Sequence, residues 1–221
     1  MRSFVTLTAA LLLSLAGCVT MPDPVPVNYL VEKTPEQGKI LEKLENGIIA
    51  KNHEVKALKD KSQAADQKVN VEKGRLGILK DERSLLDEKK KQYQMENDAA
   101  KTEDNNKQIT AKDGEIKAQE LKVESATASS GLARAQKEVG ETELSVMVAE
   151  LNYEKARIAR EYLVKHQAAN AADKKDQPSP DKYDDKYRLY LEKQREALVE
   201  KRNTRDEAAL KLKIAEDKLK Q

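Results

Sequence analysis

The side chains that could carry specific chemistry are few and scattered in this chain of 221 residues. Cys18 is the only cysteine, which excludes an internal disulfide and a cysteine-based zinc site. His53 and His166 are isolated in the sequence, and each is expected on the surface of a helix. The sequence contains no Walker loop, GxSxG, HExxH or EF-hand pattern. The role of the single thiol at Cys18 therefore has to be inferred from the residues around it in the sequence.

The residues ahead of Cys18 are arranged like a secretory leader. Arg2 supplies a positive charge, and the 13 residues from Phe4 to Ala16 are predominantly apolar. This stretch is too short for a membrane-spanning helix, which needs about 20 residues. Its length is typical of the hydrophobic region of a signal peptide.

Leu15-Ala16-Gly17-Cys18 resembles the lipobox of bacterial lipoproteins, in which two small residues separate a leucine from the cysteine. The resemblance implies that a signal peptidase recognises Leu15, Ala16 and Gly17 and cleaves before Cys18. Residues 1–17 would then be a removed signal peptide, and Cys18 would carry a covalent lipid and no other cofactor. The alternatives are a signal peptide with an incidental cysteine and an uncleaved anchor.

The same resemblance implies a place in the cell. Stable anchoring needs two acyl chains, or one chain plus a second signal, because each buried methylene contributes only about 0.8 kcal/mol. A bacterial lipoprotein usually carries three chains, so we expect a permanent attachment. In some bacteria an Asp after the cysteine favours the inner membrane. Val19 in that position favours the outer membrane, with the body of the protein facing the periplasm.

Residues 18–34 are predicted to be a tether that begins with the lipidated cysteine. Three prolines alternate with other residues in the sequence VTMPDPVPVNYLVEKT, residues 19–34. Alternating proline favours extended polyproline-II structure and excludes helix. We interpret the segment as a stand-off spacer, with a docking motif as the alternative.

The composition after the tether indicates long helices. Charged residues make up 36% of the chain and aromatic residues 4%, so large side chains are too few to fill a broad core. Strong helix formers dominate, and acidic and basic residues are interspersed to a net charge of +2. That surface is typical of solvated helices and argues against nucleic-acid binding.

The first helix is predicted to start at Pro35, after a capping box formed by Thr34 and Gln37. Between Leu41 and Tyr93, 11 of 16 positions at alternating three- and four-residue spacing are apolar. The apolar positions are Leu41, Leu44, Ile48, Val55, Leu58, Ala65, Val69, Leu76, Leu79, Leu86 and Tyr93. The exceptions are Lys51, Ser62, Glu72, Arg83 and Lys90.

Residues 96–106 are rich in Asn and Asp and are predicted to turn the chain. The prediction is a helical hairpin over residues 35–170, with arms at about 35–96 and 104–169. A fold about residue 101 pairs positions whose numbers sum to about 202, which opposes Leu58 to Leu144. The alternative is one continuous helix in a parallel oligomer.

The apolar pattern is weakest where the two arms are expected to meet near their middle. The predicted pairing opposes Ala65 to Lys137 and Glu72 to Ser130. Gly74 and Gly77 lie in the same stretch, and Gly131 lies nearly opposite. Because each glycine costs a helix about 1 kcal/mol relative to alanine, we expect a bend there, or else tolerated surface glycines.

Residues 171–182 are predicted to be a linker and residues 183–221 a third helix, with a start at Ser179-Pro180-Asp181. The second arm offers this helix a second apolar stripe. That stripe comprises Leu132, Ala135, Val139, Val146, Ala149, Tyr153, Ala156 and Leu163. Packing there would gather Tyr153, Tyr162, Tyr183, Tyr187 and Tyr190, which we interpret as packing rather than as a ligand site.

The fold class predicted is all-α, a long antiparallel coiled-coil hairpin with a third C-terminal helix packed on its base. The predicted function is a lipid-anchored cell-envelope scaffold or adaptor that binds a protein partner through its helical faces. The alternatives are a surface-exposed lipoprotein that binds host or environmental ligands and a self-assembling spacer, a homo-oligomer. We expect no enzymatic activity, metal, small-molecule substrate or nucleic-acid partner.

Overall fold

The computed structural model describes residues 20–166 and 182–220, and its regular structure is entirely helical across these two ranges. A short 3₁₀ helix at Val27–Leu30 precedes three α-helices. These are α1 at Pro35–Met95, α2 at Ala99–His166 and α3 at Asp185–Leu219. The two long helices pack together and α3 packs on them, which confirms the all-α prediction with three helices.

The described residues form two compact units. Unit 1 contains residues 20–45, 146–166 and 182–196, and unit 2 contains residues 46–145 and 197–220. Each of the three helices contributes residues to both units. No described helix has a stretch both long and apolar enough to cross a membrane.

The start of α1 is fixed by the predicted capping box. The Gln37 amide donates to Thr34 Oγ1 at 3.2 Å, and the Thr34 amide donates to Gln37 Oε1 at 2.8 Å. These reciprocal bonds satisfy two backbone donors that a helix start leaves without partners. Gln37 Nε2 also donates to Glu161 Oε2 at 2.7 Å, so the cap is tied to α2 within unit 1.

A three-residue corner, residues 96–98, joins α1 to α2. Asn97 has a left-handed backbone with φ 54°, and the Asp98 amide donates to the Tyr93 carbonyl at 3.0 Å, as in a Schellman C-cap. Asp98 then caps α2, because its Oδ1 accepts from the Lys101 amide at 3.0 Å. Helix α2 therefore begins at Ala99, earlier than the arm predicted from 104, and most of the predicted turn at 96–106 is helical.

The predicted stripe of α1 is the sheltered face of that helix. All 16 positions of the stripe between Leu41 and Tyr93 are buried or half-buried, including the five polar exceptions. Three of these exceptions have polar partners on α2. Lys51 Nζ lies 2.9 Å from Glu143 Oε2, Arg83 Nε lies 2.7 Å from Asp113 Oδ1, and Glu72 Oε2 accepts from Gln119 Nε2 at 2.7 Å.

The predicted pairing of Glu72 with Ser130 is wrong. Glu72 bonds Gln119 instead, and Ser130 Oγ donates to Asp66. A heptad pattern looks the same after a shift of seven residues, so the pattern alone does not fix which layers meet. The corner at residues 96–98 replaces the predicted centre near residue 101 and sets a different register.

The α2 half of the seam contains a second series of sheltered positions that the sequence pattern did not reveal. These positions are Asn105, Lys112, Gln119, Ala126, Ala133 and Gly140. Their side chains are small or polar, so the series is not visible as an apolar stripe in the sequence. At Gly140 an added Cβ would lie 2.7 Å from Leu58 Cδ1, so the two helices approach closely there.

The glycines expected to bend the helices do not interrupt them. Helix α1 is continuous through Gly74 and Gly77, and α2 is continuous through Gly131. A Cβ added at any of the three would meet no atom within 4 Å. They correspond to the alternative interpretation, tolerated glycines on an open helix face.

Helix α3 starts at Asp185, after the cap residue Asp184, whose carbonyl accepts from the Tyr187 and Arg188 amides. The predicted start at Ser179-Pro180-Asp181 lies outside the described residues. The second α2 stripe is sheltered as predicted, with Leu132 and Tyr153 half-buried and the other six residues buried. The stripe is therefore the face that α2 turns away from solvent in addition to its contact with α1.

Alanine substitutions at two α2 glycines test the close approach at Gly140. Gly131→Ala should raise the free energy of unfolding by about 1 kcal/mol, because the added methyl group meets open space. Gly140→Ala should lose most of that gain, because its Cβ must displace the Leu58 side chain. Urea unfolding followed by circular dichroism measures both, and equal gains would contradict the packing at Gly140.

Candidate functional site

The four residues with a predicted chemical role, Leu15, Ala16, Gly17 and Cys18, lie outside the described residues. The site can therefore be followed from residue 20 onward, where the chain leaves the predicted lipid attachment and enters unit 1. Its geometry decides whether the segment after Cys18 stands away from the helices or packs on them.

The segment after residue 22 packs on the helices, which corrects the prediction of a stand-off spacer. Val25 is buried at 8% exposure in one cluster with Ala156 and Ala159 of α2, and Tyr29 and Leu30 pack against the same cluster. The polyproline conformation predicted for the segment is present at Pro26, with φ −59° and ψ 135°. The prolines keep the chain extended, but the apolar residues between and after them provide surface to bury.

A partly buried hydrogen bond also holds this segment. Tyr187 Oη of α3 donates to the Asp23 carbonyl at 2.7 Å. The Tyr29 amide then donates to the Pro26 carbonyl at 3.1 Å and closes the 3₁₀ helix. The chain is thus held at both ends of residues 23–29, by a side chain of α3 and by its own backbone.

Four tyrosines form the aromatic part of this contact, which we name the tyrosine cluster. It contains Tyr29, Tyr162, Tyr183 and Tyr187. Tyr29 lies with its ring centre 5.7 Å from that of Tyr162 and 6.1 Å from that of Tyr183. Tyr29 was not predicted as a member, because its segment was interpreted as a spacer. Tyr153 packs against the adjoining apolar cluster.

Tyr183 and Tyr187 are the buried members of the tyrosine cluster, and burial disfavours ionisation of their phenols. Burial raises the pKa of Tyr183, and the neighbouring Tyr187 adds to the shift. Burial likewise raises the pKa of Tyr187. Both phenols therefore stay protonated at neutral pH, where Tyr187 acts as the hydrogen-bond donor to Asp23.

Glu32 connects the end of the packed segment to the end of α2. Its Oε2 lies 2.5 Å from Lys165 Nζ, and its Oε1 lies 2.9 Å from His166 Nε2. The His166 ring also lies 4.3 Å from the Tyr162 ring, centre to centre. His166, expected to be an isolated surface residue, therefore contacts both the carboxylate of Glu32 and the tyrosine cluster.

A cavity of about 420 Å³ lies on the outer surface of unit 1. Its lining includes three cationic side chains, each with a carboxylate partner. Arg157 pairs with Glu154 at 3.0 Å, Arg160 with Asp184 at 3.5 Å, and Lys165 with Glu32. Within residues 20–166 and 182–220, no group of three or more His, Cys, Asp or Glu side chains could hold a metal ion.

Removing the Tyr187 hydroxyl should loosen the packed segment. Tyr187→Phe keeps the ring and loses the bond to the Asp23 carbonyl, so the free energy of unfolding should fall by about 1 kcal/mol. Limited proteolysis should then cut within residues 20–34 sooner than in the unaltered protein. Tyr190→Phe, on the same helix and outside the cluster, is the control and should leave cleavage unchanged.

Acid should weaken the Glu32 contacts. A hydrogen bond from Lys165, with a further one from His166, lowers the pKa of Glu32 from its ordinary value. The stability that this carboxylate contributes is complete above the unfolded-state pKa, about 4.3, and is lost as the pH falls through the lower folded-state pKa. Unfolding measured from pH 7 to pH 2 should therefore be less acid-sensitive in Glu32→Gln. Identical pH profiles would show that these contacts contribute nothing.

No protein-family model matches the chain, and no curated protein or solved structure is similar enough to it to count as a match. Two features of the chain bear on its function: the lipobox-like residues that end at Cys18, and the packed segment that follows them.

Proposed function

We propose that this chain is a lipid-anchored scaffold or adaptor of the bacterial cell envelope. Cys18 carries the lipid after removal of residues 1–17. The helical body is then held at the membrane and presents its long faces to a protein partner. The observation that carries the proposal is the sequence Leu15-Ala16-Gly17-Cys18, directly ahead of a segment that packs on the helices.

The packed segment supports a short link between lipid and body. Four residues lie between Cys18 and Asp23, whose carbonyl accepts the hydrogen bond from Tyr187. Fully extended, the five steps from Cys18 to Asp23 span at most about 17 Å. A scaffold anchored in this way holds unit 1 close to the membrane surface, whereas the predicted spacer would have allowed a much longer and looser link.

We further propose that α1 and α2 form an antiparallel coiled-coil hairpin. Three ion pairs between the helices support this. As the residue number of the α1 partner rises, the residue number of the α2 partner falls. Lys51 pairs with Glu143, Lys80 with Glu120 at 3.2 Å, and Arg83 with Asp113. The tight corner at residues 96–98 and the sheltered 3-4 stripe of α1 agree with this arrangement.

The expected destination is the outer membrane, with the body in the periplasm. This expectation rests on Val19. In some bacteria an Asp at that position favours the inner membrane, and this chain has Val there instead. The surface of the body is an even mixture of acidic and basic groups, so a partner is expected to recognise helical faces rather than one charged patch.

Two substitutions next to each other test the anchor. Cys18→Ser should abolish incorporation of a labelled fatty acid and release the protein from the membrane fraction, because serine offers no thiol for the lipid. Val19→Asp should keep the label, and in an enterobacterial host it should move the protein from the outer to the inner membrane. Fatty-acid labelling of Cys18→Ser at the level of the unaltered chain would refute lipidation at Cys18.

The scaffold role is tested separately by co-purification from membranes. The unaltered chain should recover an envelope protein reproducibly after mild cross-linking, and Cys18→Ser should recover much less of it. Deletion of the coding gene should also disturb the envelope, for example its resistance to detergent. Recovery of no envelope protein, together with an unaffected envelope, would refute the scaffold proposal while leaving the lipid anchor intact.

A further inference from the structure

Helix α3 is held differently in the two units. In unit 1 its side chains Tyr187 and Leu191 are buried, and Tyr187 also bonds the Asp23 carbonyl. In unit 2 the helix continues as residues 197–219, which we name the distal strap. Ala215 is the only buried side chain of the distal strap. This part of α3 is therefore packed much less closely than the part before it.

The distal strap keeps its largest apolar side chains in solvent. Val199, Leu210 and Ile214 are 59%, 59% and 50% exposed. Its half-buried residues recur about every three or four positions, so they mark the side that faces α2. They are Ala197, Leu198, Lys201, Arg205, Ala208 and Leu212. Because apolar stabilisation scales with the area removed from water, this contact contributes little per residue.

The α2 face beneath the distal strap is more completely buried than the strap itself. Ala135 and Val139 are buried, and Leu132 is half-buried. These residues stand at other heptad positions than Ala133 and Gly140, which belong to the seam with α1, so α3 is the helix that shelters them. The distal strap therefore covers an apolar face of α2 that would otherwise be open to solvent.

The contact between the distal strap and α2 also contains a gap. A cavity of about 530 Å³ lies between them, and its lining includes Ala128 and Gly131 of α2 together with Ala208 and Ile214 of α3. A Cβ added at Gly131 would meet no atom within 4 Å. Surfaces that pack closely leave few such spaces, so the distal strap does not fill the face on which it lies.

Three ion pairs also hold the distal strap on α2. In each pair the base is on α3 and the acid is on α2: Lys201–Glu138 at 3.0 Å, Arg202–Glu143 at 2.8 Å, and Lys218–Glu124. The six side chains keep between 25% and 50% of their surface exposed. Water and salt therefore screen the attraction, and the pairs add only a modest, salt-dependent hold.

We propose that the distal strap is an autoinhibitory cover, which detaches from α2 while the start of α3 stays docked in unit 1. Detachment opens the α2 face of Leu132, Ala135 and Val139, and this face then binds a helix of a protein partner. That partner is the one of the proposed scaffold function, on which this part of the inference rests. One buried side chain and three screened ion pairs make detachment of this segment easier than unfolding of either long helix.

The uncovered face defines the chemistry of the partner helix. By helical spacing, Glu124 and Glu138 lie along one edge of the face and Glu143 lies along the other. The partner helix is therefore amphipathic, with apolar residues every three or four positions and basic residues beside them. Side chains larger than Ala208 would fill the cavity that the strap leaves empty. This extra contact lets a partner compete with a strap that is tethered to the same chain.

Hydrogen exchange of the full chain in detergent tests the detachment. Amides of residues 200–219 should exchange at least about tenfold faster than those of residues 189–196. Raising NaCl from about 0.1 M to about 1 M shortens the screening length from about 10 Å to about 3 Å, so exchange of the strap should become severalfold faster. Residues 189–196 should not respond. Fraying of the helix end affects only the last turn and does not explain a change from residue 200 onward.

A charge reversal with rescue tests the ion pairs. Lys201→Glu places a carboxylate against Glu138 and should make exchange of the distal strap severalfold faster. Lys213→Glu is the matched control and should change exchange little. It makes the same charge change on an exposed strap residue that has no ion pair among the described residues. Adding Glu138→Lys to Lys201→Glu should restore slow exchange, and a double variant that exchanges as fast as Lys201→Glu would contradict the role of the pair.

A labelled peptide with the sequence of residues 197–219 tests the uncovered face. In fluorescence anisotropy it should bind the full chain carrying Lys201→Glu at least about tenfold more tightly than the unaltered chain, whose own strap occupies the face. The same peptide with Ala208→Leu should bind more tightly still, because leucine fills the cavity beside Gly131. A peptide with Lys201→Glu and Lys218→Glu should lose binding, because it lacks two of the basic partners of α2.

Either of two results would overturn the inference: strap exchange as slow as that of residues 189–196 at every salt concentration, or equal peptide affinity for the unaltered chain and for Lys201→Glu. Both experiments need only this chain, so their failure is distinct from failure of the proposed function. A strap that does not detach would refute the cover and leave the scaffold standing. Recovery of no envelope protein would refute the scaffold and leave detachment of the strap standing.

Discussion

The seam between α1 and α2 is the contact on which the other features of this chain depend. A chain with 36% charged and 4% aromatic residues cannot fill a broad core, so it buries narrow stripes along long helices. Long isolated helices gain little from propensity alone, and their stability comes from such a packed face. The capping box at Thr34 fixes the start of α1, and the corner at residues 96–98 fixes where α1 ends and α2 begins.

Polar contacts inside the seam make its register specific. Glu72 accepts a hydrogen bond from Gln119, and this bond lowers the pKa of the carboxyl group. Asp66 accepts hydrogen bonds from Ser130 and Arg134, which lower its pKa in the same way. A shift of one heptad would keep apolar residues in contact but would separate these partners. Removing the partner of a sheltered charge is costly, so the polar layers disfavour the shifted alignments that the apolar pattern alone allows.

The prediction that residues 23–30 stand away from the helices was wrong. The three prolines after Cys18 correctly predict an extended chain that is not α-helical. They do not reveal that Val25, Tyr29 and Leu30 have an apolar surface to cover, because that surface is formed by residues 156–163 and 183–187, more than a hundred positions later. The tyrosines of α2 and α3 were expected to meet. Tyr29 joins their cluster. Its segment has no helical periodicity, so the sequence pattern did not predict this contact.

The sequence by itself determined the helical class, the start of α1, the sheltered stripe of α1 and the second stripe of α2. These features follow from local capping and from periodicity, which operate within a few turns of one helix. Only the tertiary structure decided the register of the two long helices, the partners of Glu72 and Ser130, and the packing of residues 23–30. Each of these depends on which distant surfaces meet. A repeating pattern leaves that choice open, because shifted alignments bury nearly the same apolar area and differ mainly in their turn and in their few polar contacts.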